Sequence, residues 1–286
     1  MLYGDTNTTL AVISAKRKKI PVFHMEAGNR CFDQRVPEEL NRKILDHLSD
    51  INLVLSEHAR RYLIAEGIRP ETIIKTGSHL EEVFNFYMPQ ILESNVLQYE
   101  QLNEGQYFIV SAHREENVDI SENLIALMET LQMLVDKYQY PIIVSMHPRT
   151  KKHLESLSVP FEHDLIRFKK PYGFLDYIRL QLSAFCIISD SGTITEEASL
   201  LNLPALTIRY AHERLEGMDV GTVIMSLIEK NKIIQAVEII TEQHKKTERI
   251  FPTVNDYKTG GFVSKQILRV VVSYIDYINR TVWSKC

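Results

Sequence analysis

Ser189-Asp190-Ser191-Gly192-Thr193, running straight on into Ile194-Thr195-Glu196-Glu197-Ala198, is the stretch whose reading decides the fold. Ahead of it stands Ala184-Phe185-Cys186-Ile187-Ile188, a short apolar run that reads as a fully buried parallel strand, and behind it a helical pattern closes near Leu201. The motif therefore occupies a strand-to-helix turn. Small and hydroxyl-bearing residues at a helix start leave backbone N–H groups uncovered, and these, with the positive end of the helix dipole, suit a phosphate. A carboxylate one turn into the same helix can accept hydrogen bonds from a ribose diol. The plainer alternative is an N-cap with acidic first-turn support.

Outward from this turn, strand and helix alternate along the chain, the pattern of parallel sheets covered on both faces. Before it, the sequence predicts a helix from Thr6 to about Lys19, a strand Ile20 to His24, an irregular loop to Val36, and a helix Glu38 to Ser49 that Pro37 starts. A strand Ile51 to Leu55, a helix Glu57 to Ala65 capped by Ser56, and a strand Thr72 to Thr76 follow. Residues 79–104 read as helical pieces interrupted at Pro89 and at Asn103-Glu104-Gly105, where the domain boundary is placed. The second set comprises strands Gln106 to Ser111, Pro141 to Met146, Leu165 to Phe168, 185–189 and Pro204 to Ile208, with helices Ile120 to Tyr138, after Pro148, and Phe174 to Leu182. The expectation is two doubly wound Rossmann-type domains, 1–104 and 105–260, with a ligand cleft between them. A C-terminal helix, 261–286, is expected to pack across both through Val263, Ile267, Val270, Val271 and Tyr274.

Composition bounds the function. The 286 residues carry 37 acidic and 33 basic side chains, a net charge of −4, which gives no reason to expect nucleic acid or an anionic membrane as partner. No apolar run reaches the length of a membrane span and no signal peptide precedes the first motif, so a cytoplasmic location is expected. Cys31, Cys186 and Cys286 are too few and too scattered for a disulfide framework or a zinc site.

Each predicted strand around the cleft ends in something polar: Asp5, Glu26, His113 with Arg114, His147, and Asp190 with Ser191. Together with Glu38 and Glu39, Asp5 and Glu26 give the several carboxylates that acid or base chemistry on carbon requires. His113 and Arg114 suit a diphosphate, the arginine by its fork and the histidine by its switchable charge. The bland readings are that Glu38 and Glu39 serve the helix dipole, His147 a turn, and Arg209, His212, Glu213 and Arg214 solvent, with His24 a satisfied core histidine.

Six motifs in order carry a resemblance: Gly4-Asp5-Thr6, His24-Met25-Glu26-Ala27-Gly28, Pro37-Glu38-Glu39-Leu40-Asn41-Arg42, Ala112-His113-Arg114-Glu115-Glu116-Asn117, Ser189-Asp190-Ser191-Gly192 with Glu196-Glu197, and His212-Glu213-Arg214. Over nearly its whole length the chain resembles the non-hydrolysing UDP-N-acetylglucosamine 2-epimerases. The resemblance implies a GT-B-like fold, a homodimer, a UDP-sugar substrate and no metal or redox cofactor. It implies inversion at C2 by proton abstraction and reversible expulsion of UDP through a glycal. By motif, Asp5, Glu26 and Glu38 carry over as acid/base carboxylates and His113 as the residue assisting UDP departure. Arg114, Ser191, Gly192, Glu197 and Arg214 carry over to UDP binding.

Thr193, Leu215, Glu216-Gly217-Met218-Asp219 and the ending Ser273 to Trp283 look like the branch that forms UDP-N-acetyl-L-fucosamine for surface polysaccharides. Leu215 departs even from that branch, which has proline there. The resemblance also implies roughly 80 to 90 further residues before Gly4, in keeping with the size of a doubly wound domain. The first domain is accordingly expected to lack its first strands, which would expose buried edges and leave little turnover. The alternatives are an inactive remnant that binds UDP, a GT-B glycosyltransferase, and a hydrolysing epimerase.

Overall fold

In the computed structural model, which describes residues 1–146, 150, 154, 163–211, 214–245 and 248–285, the alternation of strand and helix resolves into two parallel sheets. The chain divides into two units. The first comprises Met1–Asn85, Ala211–Glu216 and Thr253–Cys286, the second Phe86–Tyr210 and Gly217–Pro252. The expected boundary at residue 104 therefore falls inside the second unit, and the C-terminal helix is grouped with the first. The difference arises because contacts far apart in sequence define the units, and the chain returns to the first unit twice.

The first sheet has the order β1 (Leu2–Tyr3), β2 (Phe23–Ala27), β3 (Ile51–Val54), β4 (Ile73–Lys75), all parallel. Pro37 opens the helix Pro37–Leu48, where a missing N–H costs nothing, and the Ser56 hydroxyl accepts from the Ala59 N–H at 3.3 Å to cap the helix Glu57–Ala65. The expected first helix is a 3-10 turn, Asn7–Ala11, leading into Val12–Arg17, and Thr6 makes no side-chain cap. The helix Val263–Thr281 lays Val263, Ile267 and Ile278 on Phe23, Ile51 and Leu53, with Val270, Val271 and Tyr274 beside them. This is the face expected from its periodicity.

The second sheet joins β5 (Phe108–Ser111), β6 (Ile142–Ser145), β7 (Ile166–Lys169), β8 (Cys186–Ser189), β9 (Ala205–Thr207) and β10 (Ile224–Met225) in the order β10-β9-β8-β5-β6-β7. Counted from β5 that is the 3-2-1-4-5-6 order of a dinucleotide-binding sheet, whose winding reverses between β5 and β8. The strands are hydrophobic on both faces: Phe108, Val110, Ile142, Val144 and Ile188 pack into one core, Ile109, Ile143 and Ile187 into another. Cys186 belongs to the first of these cores, and burial pushes its thiol up to about 12.

Pro89 does not interrupt the chain as expected; it lies inside the helix Leu80–Glu93. Its ring displaces the carbonyl of the residue four positions back, Asn85, and both residues are exposed, so water can take the freed acceptor. Residues His147, Pro148, His212, Glu213 and Cys286, and most of the expected helix after Pro148, lie outside the described residues.

Candidate active site

In the second unit the turn Asp190 to Thr193 leaves the end of β8 and enters the helix Ile194–Leu201, as the sequence predicts, and His113 and Arg114 leave the end of the adjacent β5. These two strands flank the point where the winding reverses, the place where doubly wound sheets bind ligands. Asp190 is fully buried and binds the two loops together. Its carboxylate accepts from the N–H groups of His113 and Arg114 at 3.0 Å each, from Asn117 Nδ2 at 3.0 Å and from His113 Nδ1 at 2.8 Å. Burial alone would raise its pKa, but the hydrogen bonds and charge of His113, with those from Arg114 and Asn117, outweigh it and hold the carboxyl below its ordinary range. The His113 ring, half exposed, is thereby fixed with Nδ1–H on Asp190 and Nε2 left for a ligand. Arg114 Nε donates to the Asp190 carbonyl at 3.1 Å.

A chain of polar contacts continues from the turn into the helix. The Ser191 and Thr193 hydroxyls lie 3.0 Å apart, Thr193 Oγ1 donates to Glu197 Oε1 at 2.5 Å, and Gln181 Nε2 donates to Glu197 Oε2 at 2.8 Å. Burial raises the Glu197 carboxyl above its ordinary pKa despite these two donors. The nearby Tyr177 hydroxyl is pushed up to about 12, chiefly by burial and then by the charge of Glu197. Gly192 lies in the turn itself, half buried.

In the first unit β1 and β2 run side by side in register, Tyr3 opposite Met25, so Asp5 and Glu26 come off the same end of one sheet. Arg42 Nε donates to Asp5 Oδ2 at 2.7 Å, and the Asn41 amide donates to the Asp5 carbonyl at 2.9 Å. Glu26 is not beyond the strand, as expected, but within it. The register between β2 and β3 shifts between Met25 and Ala27, and Glu26 adopts φ +67°, the left-handed region that non-glycine residues rarely enter. Such strained bulges re-aim a side chain, and persist where the surroundings enforce them. Glu26 Oε1 accepts from Asn29 Nδ2 at 3.2 Å and from Arg214 Nη2. Arg214, expected on UDP, thus pairs with a carboxylate of the first unit.

The helix start Pro37–Leu48 separates its two glutamates. Glu38 is half buried and has no hydrogen-bond partner among the described residues. Glu39, 1% exposed, accepts from the Cys31 and Phe32 N–H groups at 3.0 and 3.3 Å and from Arg42 Nη1 at 3.3 Å. It therefore fixes the loop after β2 and shares Arg42 with Asp5. His24 is the satisfied core histidine of its bland reading, 1% exposed between Asp46 and the Gly4 carbonyl. Gly28 has to be glycine: its φ is +79° and a Cβ would lie 2.6 Å from the Ala59 carbonyl oxygen. Asp46 is not singled out by the sequence, and Glu39, expected among the cleft carboxylates, and Asp190, expected as a strand end, prove to be buried braces for Arg42, His113 and Asn117, because a buried carboxylate is recognised by the donors the fold brings to it.

Comparison with known proteins gives these features a family. The sequence profile of the UDP-N-acetylglucosamine 2-epimerases matches residues 1–272. The chain belongs to the UDP-N-acetylglucosamine 2-epimerase family. It is similar to the UDP-N-acetylglucosamine 2-epimerase of Methanocaldococcus jannaschii, with 35% identity over 260 residues, 88% of this chain and 70% of that protein. The structure of the Rickettsia bellii UDP-N-acetylglucosamine 2-epimerase matches with TM-score 0.95 at 58% identity, over 99% of this chain and 76% of the other. The M. jannaschii enzyme in complex with UDP-GlcNAc and UDP matches with TM-score 0.85 at 33% identity, over 95% of this chain and 75% of the other. The two parallel-sheet α/β units of this UDP-N-acetylglucosamine 2-epimerase family member have the GT-B-like fold of those neighbours. Among the described residues no helix is long and apolar enough to cross a membrane.

Proposed function

We propose that the protein interconverts UDP-N-acetylglucosamine and its C2 epimer by reversible elimination of UDP. The observation that carries this reading is the pair of carboxylates at one end of the first sheet, Asp5 held by Arg42 and Glu26 held by Arg214 on a strained bulge. In this reading one of Asp5, Glu26 and Glu38 takes the C2 proton as the C1–O bond breaks. The electron pair of that bond leaves with the diphosphate oxygen of UDP, and a C1–C2 double bond remains. UDP then returns to C1 and a carboxylic acid of the same set delivers a proton to the other face of C2. Atoms and electrons balance without any net oxidation.

His113 Nε2 assists the departing diphosphate, its orientation fixed by Asp190 through Nδ1. Arg114, the uncovered backbone of Ser191 and Gly192, and Glu197 on the ribose diol hold the UDP portion. Arg214 acts on Glu26 and through it on the chemistry. The sequence features of the fucosamine-forming branch make the UDP-N-acetyl-L-fucosamine pair a second substrate to test, with surface polysaccharide precursors as the product class. From the resemblance the enzyme works as a cytoplasmic homodimer.

The test is product analysis by NMR after incubation with UDP-N-acetylglucosamine. UDP-N-acetylmannosamine with the nucleotide still attached is the expected result. Free UDP with free N-acetylmannosamine would instead identify a hydrolysing epimerase, and no conversion of either UDP-sugar pair would remove the epimerase reading.

A further inference from the structure

His24 and Asp46 form a buried link that reaches both carboxylate-bearing segments of the first unit. His24 Nδ1 lies 2.7 Å from Asp46 Oδ1, and His24 Nε2 lies 3.2 Å from the carbonyl of Gly4, the residue before Asp5. Both partners are acceptors, so the ring satisfies both only by donating an N–H at each nitrogen. Asp46 Oδ2 accepts from the Gly28 N–H at 3.1 Å, two residues after Glu26, and from Arg30 Nη1 at 2.7 Å. Arg30 is in turn held by Glu66 through two bonds of 2.7 Å. His24, Arg30 and Asp46 are each 1% exposed. One carboxylate thus anchors the far side of the bulge that turns Glu26, while one imidazole ties that anchor to the loop that carries Asp5.

We propose that His24 and Asp46 are positioning residues that hold Asp5 and Glu26 in register for proton transfer at C2. The inference rests on the epimerase reading above. Neither residue touches the reacting carbon; each acts through backbone. The strain at Glu26 makes the arrangement necessary, because a left-handed glutamate relaxes toward ordinary strand geometry unless both sides of the bulge are fixed. The sheet alone does not fix it, since the pairing of β2 with β3 slips at that residue. Glycine at 28 permits the approach of the helix carbonyl but supplies no side chain to hold the turn, so the bond to Asp46 is what restrains it.

Two substitutions separate the two arms of the ring. His24→Asn places an amide near the Nδ1 position and abandons the Gly4 carbonyl; His24→Gln reaches toward the Nε2 position and abandons Asp46. The 286-residue protein is assayed for epimerisation, for release of free UDP during turnover, and for UDP affinity by calorimetry. Each variant is expected to lose at least tenfold in kcat, to release proportionally more UDP as recapture of the glycal fails, and to keep its Kd for UDP within twofold. Turnover within threefold of the parent in both variants would overturn the proposal, as would a parallel loss of UDP affinity in variants that still unfold cooperatively. If neither variant folds, long-range 1H–15N correlation on the unsubstituted protein decides: both ring N–H groups of His24 protected from exchange support the link, and one bare nitrogen refutes it. Absence of epimerisation by the unsubstituted protein would remove the functional reading and leave this ring measurement standing.

Discussion

Replacing Asp190 with asparagine tests the joint between the two loops of the second unit. The buried carboxylate receives four donors: the His113 and Arg114 N–H groups, Asn117 Nδ2 and His113 Nδ1, all within 2.8–3.0 Å. Asparagine keeps one acceptor oxygen and turns the other into a donor, so in either orientation a donor meets a donor. The orientation that costs least sets the new NH2 against His113 Nδ1, where the ring can change tautomer and accept. Hydrogen bonds to a charged group contribute about 1.5–3 kcal/mol each, and the remaining ones weaken with the charge gone, so a loss of ~2–4 kcal/mol is expected. The altered tautomer puts the proton on Nε2 permanently and removes the charged partner behind it, which should lower kcat on the order of 10²-fold. Urea unfolding reads the first effect as a lower midpoint at unchanged slope, and steady-state turnover reads the second. The acid limb supplies a further check. Because the folded pKa of Asp190 is depressed, its stabilisation is present above the unfolded carboxylate value of about 3.9 and is lost as pH falls through the folded value. The variant should therefore show a shallower loss of stability below about pH 4. A destabilisation under ~1 kcal/mol together with turnover within threefold of the parent would refute the reasoning.

Glu197 has the opposite sign. Burial raises its folded pKa, so it costs stability as pH rises from the unfolded carboxylate value through the folded one, while the ionised form that accepts a diol grows over the same interval. UDP affinity should rise across that interval, and Glu197→Gln should flatten the rise and weaken binding by about 1–3 kcal/mol, roughly 5- to 150-fold, by calorimetry. Arg42→Met leaves Asp5 without its arginine and Glu39 with only the Cys31 and Phe32 N–H groups and the Cys31 thiol; a loss of about 3 kcal/mol in chemical denaturation and a fall in kcat larger than any change in KM are expected. Gly28→Ala forces a Cβ to 2.6 Å from a main-chain oxygen at positive φ, so it should lower stability by more than about 2 kcal/mol in a thermal melt.

Much of this organisation is legible in the sequence for a physical reason. Parallel strands buried on both faces, such as Phe108–Ser111 and Cys186–Ser189, appear as short unbroken apolar runs, and the residues that follow them, His113 and Ser191, fall at the ligand end of the sheet by geometry. Pro37 and Ser56 mark helix starts because their chemistry acts within one turn. What escapes local reading is set by tertiary approach. Nothing near Glu26 announces a left-handed residue, since the bulge comes from a slip against β3 and a bond from Gly28 to Asp46, 18 residues apart. Pro89 misleads because its exposed side of the helix tolerates the lost bond. Strand β10 and the helix Lys230–Gln243 were not expected, and Thr253 onward rejoins the first unit through contacts such as Asp256 with Lys75 at 2.7 Å, which no local pattern encodes.

The most direct measurement is proton NMR of the purified protein in deuterated water, with UDP-N-acetylglucosamine and, separately, with the UDP-N-acetyl-L-fucosamine pair. Deuterium entering C2 of one UDP-sugar as its epimer accumulates is the result expected of carboxylate-mediated proton exchange. Epimer formed with its C2 proton retained, or no exchange with either sugar while UDP still binds, would contradict the role assigned to Asp5, Glu26 and Glu38.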